Sequence, residues 1–190
     1  MKLLRVLCLL CGLATGAVLA SVGAGETPLV VAVQDERIDL SANTSLLEDP
    51  SGQLDFATVS SAAYADKFTR RKPQGGQTDA AVWVRFTLSN PGDQPLTRWF
   101  DTGNRTLWEL DVYAQESNGH TTHQSTGAFQ PFAQRPLPTA DFVFPLELGA
   151  RQTLTLYVRM RTYLGTPTNI RPALWQADVY RKLAQSEKTQ

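Results

Sequence analysis

Ala81-Val82-Trp83-Val84-Arg85-Phe86-Thr87-Leu88-Ser89-Asn90-Pro91 decides how the rest of the chain is read. Val82, Val84, Phe86 and Leu88 alternate with Trp83, Arg85 and Thr87, the period-two pattern of a strand with one buried face. Asn90-Pro91-Gly92-Asp93 then supplies turn residues. The face opposite the aliphatic one sets a flat aromatic beside a forked cation. That pairing predicts a surface open to solvent or ligand, suited to recognition more than to reaction.

The same alternation recurs further along the chain. Phe142, Phe144, Leu146 and Leu148 mark one apolar face, and Leu154, Leu156, Val158 and Met160 another, with Tyr157, Arg159, Arg161 and Tyr163 pointing away. In Leu107 to Ala114, Trp108, Leu110 and Val112 share the core face, and Glu109, Asp111 and Tyr113 the other. Arg37 to Ser41, Thr44 to Leu47, Leu96 to Thr102 and Ile170 to Trp175 read as further strands, and Thr121 to Thr126 as a polar edge strand. Asp49-Pro50-Ser51-Gly52 and Ser117-Asn118-Gly119 are turns. Gly127 to Pro138, with three prolines, is expected to cross between sheets.

Asp55 is placed to cap a helix through Val59, Ala62 and Ala63 toward Phe68. Arg70 to Gly76 is a basic connection with neither strand nor helix to make it a phosphate loop. The expected fold class is all-β: an antiparallel β-sandwich of about eight strands, jelly-roll-like, with one short helix. From Ala177 to Gln190 the residues form a polar, helix-compatible tail or linker with no apolar destination.

The N-terminus carries Lys2 and Arg5, an apolar run from Leu3 to Leu19 and small residues about Ala20. This is the pattern of a secretory signal peptide over residues 1–24, leaving a domain at 25–176 in the periplasm. Cys8 and Cys11, the only cysteines, fall in that leader, so the exported part is expected to lack disulfides and thiolate metal sites. Eighteen basic and eighteen acidic residues give no basic footprint for nucleic acid.

Catalytic motifs are absent from the sequence: there is no Gly-x-Ser-x-Gly, metalloprotease helix motif or phosphate loop. Glu109 and Asp111 lie about 6–7 Å apart along one strand face, a spacing compatible with a glycosidase pair, yet such carboxylates more often pair with cations or bind ligand hydroxyls. His120 and His123 form His-x-x-His without an evident third ligand and read as solvated, so neither metal nor cofactor is expected. The candidate ligand-binding residues are Trp83, Arg85, Glu109, Asp111, Tyr113, Tyr157, Arg159 and Arg161, if their strands share a sheet. The competing reading pairs Arg85 and Arg159 with Glu109 and Asp111, and covers Trp83 with the loop from Gly127 to Pro138.

The succession Leu46-Leu47-Glu48-Asp49-Pro50, Trp83 through Pro91, Leu110-Asp111-Val112-Tyr113, Gly127 through Pro131-Phe132 to Arg135-Pro136-Leu137-Pro138, Phe142 through Leu146 and Leu156-Tyr157-Val158-Arg159 resembles the type-two extracellular sensor domain of seven-transmembrane receptors with diverse intracellular signalling modules. The resemblance spans Ile38 to Trp175. It implies a periplasmic β-sandwich similar to carbohydrate-binding modules, set before seven membrane helices and a histidine kinase or diguanylate cyclase. The expected function is therefore a noncatalytic sensor for a carbohydrate or small acidic ligand, with the membrane-embedded receptor portion or a second copy as partner. The alternative is a free-standing secreted glycan-binding module.

Overall fold

The computed structural model describes residues 27–70, 80–162 and 170–187. The expected leader, most of the Arg70 to Gly76 connection and Tyr163 lie outside the described residues. Ten strands among those described form two sheets. The first runs β1 (Leu29–Val30), β4 (Ala81–Asn90), β9 (Gln152–Thr162), β6 (Leu107–Glu116), β7 (Thr121–Thr126), and β3 (Ser45–Asp49) also pairs with β4. The second runs β2 (Arg37–Asp39), β10 (Ala173–Trp175), β5 (Leu96–Asp101), β8 (Val143–Leu148). All pairs are antiparallel except β1 with β4. The architecture is the expected antiparallel, jelly-roll-like sandwich, and the one strand not read from sequence is the two-residue β1. Residues 127–142 cross from β7 in the first sheet to β8 in the second, as the prolines predicted.

The alternating aliphatics fill the space between the sheets. Val82, Val84, Phe86 and Leu88 of β4 meet Leu154, Leu156, Val158 and Met160 of β9 in register, and Phe100, Phe144 and Leu174 face them from the second sheet. Each such side chain contributes about 1.5–3 kcal/mol by leaving water, and this core is what a disulfide-free domain depends on.

Two expectations about faces are overturned. Trp83 is not on an open face: it has 0% exposure and packs with Val59, Phe68 and Tyr157 in a second apolar cluster outside the first sheet. The cover is the segment between β3 and β4, not the loop from Gly127 to Pro138. In it, Asp55 caps α1 (Phe56–Val59) by accepting the Thr58 N–H at 2.8 Å. The expected continuous helix breaks at Ser60 and Ser61 and resumes as a 3₁₀ helix, Ala62–Lys67. Serine hydroxyls there bond backward to the carbonyls of Ala57 and Thr58, competing with the helical ladder.

Trp108 is likewise not a core residue. Leu107 and Leu110 are the buried positions, and the register between β6 and β9 shifts between Leu107 and Glu109. This bulge adds one residue to β6 and moves Trp108 out of phase with Leu110 and Val112.

The tail from Ala177 also finds an apolar destination. It forms α2 (Ala177–Glu187), which lays Tyr180, Ala177 and Ala184 against Trp99, Val143 and Trp175 on the outer side of the second sheet. Tyr180 is 3% exposed and its hydroxyl donates to Asp141 Oδ2 at 2.9 Å.

Candidate functional site

On the outer side of the first sheet the helical cover reaches β6 at Tyr113, on which Phe56 stacks, and leaves the Glu109 and Arg161 side chains partly exposed. Of the eight residues proposed from sequence, three lie beneath the cover. Trp83 and Tyr157 are buried in its aromatic cluster. Arg85, also buried, donates to the Ala65 carbonyl at 3.2 Å and stands over the Phe68 ring at 4.3 Å. These three support the face without reaching solvent.

The other five are brought together. Register places Glu109 opposite Arg161, Asp111 opposite Arg159 and Tyr113 opposite Tyr157 on neighbouring strands. Arg159 Nη1 donates to Glu109 Oε2 at 2.8 Å and lies 3.6 Å from Asp111 Oδ2, while Arg161 Nη1 reaches Glu109 Oε1 at 3.3 Å. The result is a ladder of two carboxylates and two guanidiniums. Its upper rungs are open, with 45% of the Glu109 side chain and 39% of the Arg161 side chain exposed.

One edge of the ladder is a built turn. Asp49 is buried and its carboxylate accepts from the Ser51 hydroxyl and the N–H groups of Ser51, Gly52 and Leu54. Burial alone would push the Asp49 carboxyl up, but these bonds, the Ser51 hydroxyl foremost, hold it below its ordinary value. The turn needs Gly52, whose φ of +66° suits a residue without Cβ. The Gly52 carbonyl in turn accepts from Arg159 Nη2 at 3.0 Å.

The other edge contains a residue that sequence reasoning left in solvent. His123 stacks on Tyr113 with ring centroids 4.2 Å apart, and its Nε2 lies 3.0 Å from Asp111 Oδ1. Tyr113 is sandwiched, since Phe56 of α1 stacks on it at 4.5 Å. Burial, then the charge of Asp111, raises the Tyr113 hydroxyl above its ordinary value, so it stays a neutral donor. The signal for His123 was present. A hairpin centred on Asn118 pairs residues equally distant from it, and so sets His123 against Tyr113. His120 stays exposed in the turn. No cluster of three or more metal-ligating side chains occurs among the described residues.

A hollow of about 370 Å³ lies elsewhere, between residues 31–33 and the turn at 91–94. The Asn90 amide that lines it already donates to the carbonyls of Gln94, Leu148 and Gly149. Its Asp93 is paired with Arg151. The ladder therefore offers the better-furnished surface for recognition.

Comparison with known families makes the assignment: the family model for the 7TMR-DISM extracellular 2 domain matches residues 41–176, and the chain belongs to that family. It is thus an extracellular sensor domain of the kind carried by membrane-embedded receptors. No helix among the described residues is long and apolar enough to cross a membrane. Among solved structures, the chain is similar to an isomalto-dextranase of Arthrobacter globiformis T6 complexed with panose, at 12% identity and a TM-score of 0.28. That likeness covers 73% of this chain and 22% of the other, and is too slight to bear on function. No curated protein matches the chain.

Proposed function

We propose that this chain is the periplasmic, noncatalytic ligand-binding domain of a bacterial receptor with a histidine kinase or diguanylate cyclase output, and that its ligand is a neutral carbohydrate. The observation carrying this reading is the self-neutralised ladder. Glu109 and Asp111 already occupy Arg159 and Arg161, so a small acidic ligand would have to displace a carboxylate from its guanidinium partner. A neutral polyol needs no such exchange. Its hydroxyls both donate and accept, and they match a surface that offers carboxylate oxygens and guanidinium N–H groups side by side.

Calorimetric titration with neutral and acidic oligosaccharides at low and high salt tests this reading. Neutral ligands are expected to bind with an affinity that salt changes little, and Arg159→Ala to abolish binding. Binding confined to acidic ligands and weakened by salt would show instead that the arginines act as an anion site, since exposed charge contacts are screened over about 8–10 Å.

A further inference from the structure

Leu107 and Leu110 both point into the sandwich with no exposed surface. In a pleated strand neighbours alternate, so the two residues between them can fit only if both lie on the outer side. The register shift between Leu107 and Glu109 supplies the additional residue. Trp108 therefore stands on the same side as Glu109, next to the Glu109–Arg161 rung. An indole borders the open end of the ladder.

A second ring is fixed beside it. Phe129 meets Trp108 edge to face at 4.6 Å and is 71% exposed. The backbone holds it there. The Ala128 N–H donates to the Leu107 carbonyl at 2.9 Å, and Gly127 passes so close to β6 that a Cβ would fall 1.9 Å from the Trp108 carbonyl oxygen. Only glycine allows that approach. The aromatic pair is thus fixed at the start of β6, unlike the scattered single apolar side chains found on any surface.

We propose that Trp108 and Phe129 form the aromatic wall of the ladder's site and that this end takes one ring of a neutral saccharide. The C–H face of a pyranose would lie against the rings, and its hydroxyls would reach the Glu109 carboxylate and the Arg161 guanidinium. The mixture of groups selects this ligand. A purely apolar occupant would strip water from the Glu109–Arg161 ion pair without offering it hydrogen bonds, and a simple anion would leave the rings unused and oppose Glu109. This inference rests on the ladder being the binding surface.

The test titrates the full chain, Trp108→Ala and Phe129→Ser with maltopentaose, cellopentaose and laminaripentaose. Arg161→Ala serves as the ladder variant, and melting temperature is recorded for each. At least one of the three sugars is expected to bind the unaltered chain, and each wall variant to weaken it about tenfold or more. Phe129→Ser should leave the melting temperature within a few degrees, because its ring is mostly in water. Binding kept in both wall variants but lost in Arg161→Ala would overturn the wall and leave the ladder standing. No binding of any of the three to the unaltered chain would overturn both.

Discussion

Outside the first sheet, residues 54–68 lay Phe56, Val59 and Phe68 over Trp83 and Tyr157; outside the second, α2 lays Tyr180 over Trp99 and Val143. The first cover is a connection between two hydrogen-bonded strands and falls inside the family-matched span. It is largely aromatic, with Arg85 tied to the Ala65 carbonyl, and the indole N–H of Trp83 has no acceptor among the described residues. The second follows the last strand, starts one residue beyond that span, and is pinned by a polar contact from Tyr180 to Asp141. The difference is one of control. The first cover fixes which part of the first sheet's outer face stays exposed, whereas the second sits beside the Asp101 carboxyl.

The largest effect should separate the two tryptophans of the first sheet's outer side. Trp83→Ala is expected to cost about 3–5 kcal/mol in chemical denaturation, as for other fully buried aromatics. Trp108→Ala should cost clearly less, because its ring is only half-buried and lies outside the core. Trp83→Phe should recover much of the loss, because the ring is kept and the orphaned N–H is removed. Equal losses at Trp83 and Trp108 would return Trp108 to the core and erase the bulge argument.

A medium effect should come from pH on the α2 side. Burial pushes the Asp101 carboxyl up to about 6, with the charge of Asp141 adding to it, against the pull of the Gly103 N–H and of Arg105 and Arg37. Asp141 itself pairs with Arg105 and accepts from Tyr180. Because the folded Asp101 keeps its proton to a higher pH than the unfolded chain does, its ionisation opposes folding above about pH 6. That opposition fades as pH falls toward about 4. Asp101→Asn, which retains an acceptor for Gly103, should therefore stabilise by about 1–3 kcal/mol at pH 7 and by little at pH 4. Denaturation curves at the two pH values check the sign, and a variant less stable at pH 7 would contradict it.

The smallest effect should lie in the ladder. A double-mutant cycle on Glu109→Gln and Arg161→Ala is expected to give a coupling of about 0.2–1 kcal/mol that shrinks in high salt, since both groups are substantially exposed. A coupling of several kcal/mol would mean that this end of the ladder is closed to water, and so to a ligand.

Strand periodicity carried most of the fold. The alternating residues of β4, β8 and β9 point where their pattern says, because a pleat has only two sides and one of them must leave water. Periodicity cannot say whether the second side is also covered. Trp83 and Arg85 looked available because the residues that hide them come from α1 and the 3₁₀ helix, whose resting place depends on tertiary packing. Five of the eight proposed site residues converge because register follows from the turns. Trp108 was misplaced for a different reason: Leu107 and Trp108 are both apolar, so a one-residue shift leaves the pattern of Leu107 to Ala114 looking regular. The docking of α2 was hidden because a single tyrosine with two alanines carries it, too little to register as an apolar face.

The position of β10 has a mechanical consequence. The strand is hydrogen-bonded along both edges, to Arg37–Asp39 on one side and Trp99–Asp101 on the other, and the chain passes from it through Gln176 directly into α2. A pull on the helix along the strand direction would load both ladders together in shear instead of peeling bonds one at a time. Small displacements of α2 would therefore pass into the second sheet as a movement of neighbouring strands, with little lost to slack at the junction.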